Sequence, residues 1–178
     1  EYGKKNHLTY ASSGTGSSAH LTGAHFAGEA GIEMTHVPYK GSAPILADLL
    51  SGQVSMVFDP ILVPMGYVKE GKLKALAITS AKRWEGEDDI PTMEEAGFKG
   101  FVMNSWTSLL APKGTPQDIV DRVSTEIAQI VQEPDVKEKF KTAGFVPVGG
   151  SAAELGELIK RDSELYEKII KDNNITVQ

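Results

Sequence analysis

Leu8-Thr9-Tyr10-Ala11-Ser12-Ser13-Gly14-Thr15-Gly16-Ser17-Ser18-Ala19-His20-Leu21 is the stretch on which the fold turns. His7 to Ala11 is short and apolar and reads as a strand. Ser12 to Ser18 contains only Ser, Gly and Thr and reads as a loop. Ser18 to about Ala30 reads as a helix closed by Gly31. The same strand, turn and helix then recur. Ile32 to Tyr39 alternates and is predicted as a second strand. Ser42-Ala43-Pro44 starts a helix that carries Ile45, Leu46, Leu49 and Leu50 on one face and ends at Gly52. Val54 to Phe58 is predicted as a third strand, Val63 to Glu70 as a short helix, and Leu73 to Thr79 as a fourth strand. This alternation argues for an α/β fold with parallel strands and right-handed crossovers.

The remainder is helical. Thr92-Met93-Glu94-Glu95 has capping-box spacing and predicts a short helix. Met103 to Ala111 reads as extended. Thr115 as N-cap and Pro116 as first residue open a helix with Ile119, Val120, Val123, Ile127, Ile130 and Val131 on one face. Pro134 starts another helix, closed by Gly144. The capping box Ser151-Ala152-Ala153-Glu154 precedes a long amphipathic helix bearing Leu155, Leu158, Ile159, Leu165, Tyr166, Ile169 and Ile170.

Composition narrows the function. The 178 residues are 40% hydrophobic and 24% charged, which suits a folded domain rather than a disordered chain. Eighteen Lys and Arg against 24 Asp and Glu give a net charge of −6, which speaks against non-specific nucleic-acid binding. With no cysteine, thiol chemistry, thiolate metal sites and disulfides are excluded. No apolar run reaches the roughly 18 residues of a membrane span.

The loop Ser13, Gly14, Thr15, Gly16, Ser17 and Ser18 is the leading candidate site. Such a turn offers unpaired backbone N–H groups, hydroxyl donors and the positive end of a helix dipole, so an anion is the natural guest. The competing interpretation is a plain βα turn with a serine cap. A P-loop would need a lysine before Ser17 or Ser18, and there is none. A dinucleotide fingerprint would accept Ala19 in the last position. However, Glu33 stands at the start of the next strand, not at its end. A carboxylate fits as well as a phosphate.

Tyr39-Lys40-Gly41, at the end of the second strand, and Asp59, at the end of the third, belong to the same rim, where ligands of open α/β sheets collect. Lys40 could supply charge to an anion or sit solvated in a turn. Asp59 could accept hydrogen bonds from ligand or loop, or serve as an Asp-Pro turn former. His20 and His25 are five apart, not the four of a helical zinc pair; His20 is expected to orient its loop or pack. No G-x-S-x-G elbow or serine–base pair is present, and neither a metal nor a cofactor is expected.

The order of motifs is familiar. The opening stretch is followed by Met34-Thr35-His36-Val37-Pro38-Tyr39-Lys40-Gly41, then Asp48-Leu49-Leu50-Ser51-Gly52-Gln53-Val54 and Phe58-Asp59. Later come Gly71-Lys72-Leu73-Lys74-Ala75-Leu76-Ala77, Pro91-Thr92-Met93-Glu94-Glu95-Ala96-Gly97 and Leu110-Ala111-Pro112-Lys113-Gly114-Thr115-Pro116. The set closely resembles the substrate receptors of tripartite tricarboxylate transporters, also called Bug receptors.

The resemblance implies a type II periplasmic-binding-protein-like fold that closes two lobes on a small carboxylate and hands it to membrane permease subunits, without catalysis. It implies an α/β ligand-binding lobe over 1–103, the second lobe of the family fold, and a return segment with C-terminal helices over 104–178. It also implies an export signal and a first lobe that nothing in this sequence matches, so the chain is expected to be a fragment. The helices that would pack on that lobe are then expected to expose apolar surface and to favour self-association. The remaining alternative is an α/β enzyme or nucleotide-binding domain that uses the Gly/Ser loop for phosphate.

Overall fold

The computed structural model describes residues 1–176. They form β1 (Leu8–Ser12), α1 (Ser18–Ala30), β2 (Met34–Pro38), α2 (Ser42–Leu50), β3 (Met56–Val57), α3 (Leu62–Lys69), α4 (Gln117–Ile130), α5 (Pro134–Thr142) and α6 (Ala152–Asp172). They divide into two compact units, one of Glu1–Ser105 with the C-terminal end from Ile169, the other Trp106–Lys168.

The first unit holds a three-stranded parallel sheet in the order β2-β1-β3. Leu8 pairs with Met34 and Ser12 with Pro38 on one side, and Tyr10 pairs with Met56 on the other. Alternation along β1 sends neighbouring side chains to opposite faces. Tyr10 meets α1, where an ideal Cβ on Gly23 would lie only 2.2 Å from the ring. Ala11, fully buried, packs with Ile45 of α2 and with Val54, and Val37, Leu49 and Val57 close around them. Gly23 lets α1 approach the strand closely. Gly31, in the left-handed conformation at φ 59°, caps its end as expected.

The predicted fourth strand does not form. Leu73 to Thr79 makes a single parallel bridge, Ile78 to Thr92, and joins no sheet. Ile78 N–H donates to Pro91 O and Ile78 O accepts from Met93 N–H. Pro91 has no N–H with which to extend the ladder on one side, and on the other Met93 O accepts the Phe98 N–H instead. The third strand is also shorter than Val54 to Phe58. Beside Thr9 the Ser55 hydroxyl accepts the Thr9 N–H at 3.1 Å, and the Ser55 N–H is shared between the Thr9 hydroxyl at 3.0 Å and Thr9 O at 3.2 Å; regular pairing begins at Met56.

Thr92 and Glu95 do form the reciprocal capping pair, at 2.8 and 3.2 Å. The chain after Thr92 makes a turn rather than the expected helix: Ala96 N–H and Gly97 N–H close back on Thr92 O and Glu94 O, and Gly97 takes a φ of 104°.

In the second unit, α4 begins one residue later than the sequence suggests. Pro116 O accepts the first helical bonds, and the Thr115 hydroxyl donates to Pro112 O instead of capping. Pro134 does open α5, and the Ser151–Glu154 box opens α6. Trp106 Nε1–H donates to Asp162 Oδ2 at 2.8 Å, and Arg161 holds the other carboxylate oxygen. Gly149, at φ 66°, sits where a Cβ would be 2.7 Å from Val131, so α4 and the turn before α6 meet without a side chain between them. No residue of α4 is fully buried, and Ile119, Val123 and Ile130 are exposed, as are Phe145, Val146 and Val148.

Two glycines of α1 test the packing account. Gly23→Ala forces the Tyr10 ring to move and should destabilise the chain by about 1–3 kcal/mol. Gly28→Ala meets nothing within 4 Å and should stabilise it by up to ~1 kcal/mol through helix propensity. Urea denaturation of both variants checks this, and equal effects at the two positions would contradict the close contact.

Candidate functional site

Parallel pairing sends the carboxyl ends of β1, β2 and β3 to one rim of the sheet. There β1 runs into Ser13–Ser17, β2 into Tyr39–Gly41 and β3 into Phe58–Pro60. Specific bonds link these turns. Tyr39 N–H donates to Ser12 O at 2.8 Å, which ties the second turn to the first. The Ser42 hydroxyl donates to Asp59 Oδ1 at 3.3 Å, which ties the start of α2 to the third.

The loop has a defined internal frame. Gly14 and Gly16 take φ values of 141° and 80°, a region open to glycine and costly for most residues. Ser17 caps α1, accepting the His20 N–H at 3.3 Å and donating to Gly14 O at 2.7 Å. Gly14 N–H is taken by the Ser12 hydroxyl, Gly16 N–H by His20 Nδ1 and Ser17 N–H by Gly14 O. The N–H groups of Ser13, Thr15, Ser18 and Ala19 have no intramolecular acceptor among the described residues. Four unclaimed donors, the helix dipole and the exposed hydroxyls of Ser13, Thr15 and Ser18 make a ready anion cradle.

The other expected site residues are placed as follows. Tyr39 is half-buried and its hydroxyl is committed, donating to Asp48 Oδ2 at 2.6 Å, a bond that pushes its pKa upward. Lys40 is exposed and makes no ion pair among the described residues, so its ammonium is free to meet an anion. Gly41, at φ 101°, precedes α2 as its cap. Asp59 is the outlier in chemistry: its Oδ2 is buried and has no hydrogen-bond partner among the described residues, and burial raises its pKa.

Several residues of the rim escaped sequence reasoning. His36 of β2 stacks on His20 of α1 with ring centroids 3.7 Å apart and planes within 6°. Its Nε2 lies 2.6 Å from the Ser12 hydroxyl. Ser105 donates to the Ser18 hydroxyl at 3.1 Å, which brings a distant segment to the loop. Only the alternation of β2 hinted at which way His36 would face, and nothing local hinted at Ser105. The described residues also include a cavity of about 780 Å³, lined by Phe26, Met56, Leu76 and Phe98 among others. It also takes in His7, Leu8 and Ser55, so it opens at the amino ends of the strands, opposite the loop.

Residues 1–175 match the family model described as the tripartite tricarboxylate transporter family receptor. The chain belongs to this family. It is a family of transport receptors and not of enzymes, which removes the enzyme alternative.

A UPF0065 protein from the tcbD-tcbE intergenic region of Pseudomonas sp. (strain P51) is 38% identical over 164 residues, 92% of this chain and 49% of that protein. Among solved structures, R. palustris Rpa4515 with adipate matches with a TM-score of 0.83 at 34% identity, over 98% of this chain and 59% of that one. MatC (Rpa3494) from Rhodopseudomonas palustris with bound malate matches with a TM-score of 0.70 at 29% identity, over 92% and 56%. The chain therefore spans about half the length of that Pseudomonas relative and under two thirds of these two solved chains.

The histidine stack makes stability depend on pH in a defined direction. Burial, and then the neighbouring His20, lower the His36 pKa from 6.5 to about 4, and burial lowers that of His20. Between pH 6.5 and about 4 the unfolded chain therefore holds more protons than the folded one, and stability falls as the pH drops. At the lower end of this window Asp59, whose pKa is raised, works in the opposite sense. Urea midpoints should be flat above pH 7 and decline from 6.5 towards 5, with a shallower decline in His36→Gln. A midpoint that rises over that interval would contradict the buried neutral pair.

Proposed function

We propose that residues 1–105 form the ligand-gripping lobe of an extracytoplasmic, periplasmic solute receptor for a small organic carboxylate, of the dicarboxylate, tricarboxylate or acidic amino acid class. The observation that carries this reading is the set of four unclaimed N–H groups, on Ser13, Thr15, Ser18 and Ala19, at the start of α1. A carboxylate that accepts from fixed backbone N–H groups makes charge-assisted hydrogen bonds, roughly twice as strong as those between neutral groups. Lys40 adds charge from the side. Tyr39 and Gly41 shape the second turn, and Asp59 limits what may approach the third. The adipate and malate named with the two solved relatives belong to the same chemical class. In the whole receptor the captured carboxylate would pass to the membrane permease subunits of a tripartite transporter.

Two measurements test this. Calorimetry should show malate or adipate binding more tightly than the corresponding diamide, by at least tenfold. Hydrogen bonds to a charged group contribute about 1.5–3 kcal/mol each, so even one such bond supplies that factor. Equal binding of acid and diamide would refute the carboxylate reading. Gly16→Val should abolish binding while circular dichroism stays native, because it places a branched side chain at a φ of 80° in the cradle. Normal binding by that variant would make the loop an ordinary turn.

A further inference from the structure

The loop is held by two stacked imidazoles, and the bond that one of them makes fixes its protonation state. Gly16 N–H donates to His20 Nδ1 at 3.0 Å, so that nitrogen carries a lone pair and the neutral ring holds its proton on Nε2. The Ser12 hydroxyl lies 2.9 Å from Gly14 O, accepts from Gly14 N–H at 3.2 Å and shares a hydrogen bond of 2.6 Å with His36 Nε2. The His20 ring is thus neutral, with Nε2 protonated. The face-to-face stacking of the two rings at 3.7 Å opposes a charge on both at once.

We propose that His20, backed by His36, is a positioning residue of the carboxylate cradle: its unprotonated Nδ1 holds Gly16 N–H down, and this leaves the neighbouring N–H groups turned out for the ligand. The inference rests on the carboxylate reading of the loop, though the positioning itself can be measured without ligand. It explains three observations together. Gly16 is exposed at a φ of 80°, and its N–H finds its acceptor four residues on, in the first turn of α1. His20 is 7% exposed, and its ring spends a hydrogen bond on the loop. Ser12, fully buried, joins the His36 ring to Gly14, so both glycines of the loop are anchored to the same stack.

A proton on His20 Nδ1 would set two donors against each other and release Gly16. The titratable groups facing the pair are the partner imidazole and the Tyr10 phenol, whose ring lies 6.1 Å from His20 and 5.1 Å from His36. Burial pushes that phenol up to about 12, so it stays neutral. No carboxylate is hydrogen-bonded to either ring among the described residues. Nothing nearby therefore favours the imidazolium, which agrees with the lowered pKa of both rings.

The test compares the full chain with His20→Asn and His20→Leu. The Asn side-chain oxygen can occupy the place of Nδ1 and accept from Gly16, whereas Leu fills the volume without an acceptor. Hydrogen exchange of the Gly16 amide, read by NMR at pH 7 without ligand, should speed up tenfold or more in His20→Leu and stay within threefold in His20→Asn. Affinity for malate or adipate should follow the same order. Similar Gly16 exchange in the two variants would overturn the proposal, because a purely packing role would treat them alike or favour Leu. Should either variant fail to fold, nitrogen NMR of the unaltered chain decides. His20 Nδ1 unprotonated at pH 7, with Gly16 exchange accelerating as that nitrogen gains a proton, supports the proposal; Nδ1 protonated at pH 7 refutes it. If the exchange pattern holds but no carboxylate binds, the positioning stands and the carboxylate reading falls.

Discussion

Parallel pairing on both sides of β1 is the constraint from which the rest of the first unit follows. Parallel neighbours cannot be joined by a tight hairpin, so each strand must return through a helix, and every strand must end on the same rim. Because β1 is central, its side chains are covered on both faces, by α1 over Tyr10 and by α2 over Ala11. The loop that leaves β1 is therefore flanked by the turns that leave β2 and β3. The bonds from Tyr39 to Ser12 and from Ser42 to Asp59 fasten the flanks of that rim.

The chemistry of the rim is that of neutral donors on a rigid support. Its loop gives three of its N–H groups to internal acceptors, and four in and after it remain unclaimed. The internal bonds set the direction of the free ones. This places His20 and His36 in control of the cradle's shape. Asp59 introduces the opposite character, a carboxylate oxygen buried without a hydrogen-bond partner among the described residues, beside a site suited to anions.

Local signals made much of this legible in the sequence. The strand, Gly/Ser turn and helix from Leu8 to Ala30 declare themselves through composition and capping, and the loop appears where a βα unit would place it. Leu73 to Thr79 misled because a run of strand-compatible residues does not say which backbone partners it will find. Its only bridge is to Thr92, next to a proline that cannot extend a ladder. Thr92 and Glu95 misled in the reverse way, since a capping box satisfies two N–H groups whether or not a helix follows. The stack of His20 on His36 joins residues sixteen positions apart on different elements. No local pattern encodes such a contact; it arises when β2 is set beside β1 in register, Tyr10 against His36.

The central claim is that an acid group seats in the loop between β1 and α1. Titration of the nitrogen-labelled chain with malate, following backbone amide shifts, tests it most directly. The account predicts saturable shifts concentrated at Ser13, Thr15, Ser18 and Ala19, with smaller ones at Lys40, Gly41 and Asp59. Shifts clustered instead around Phe26, Leu76 and Phe98, at the opposite ends of the strands, would contradict it.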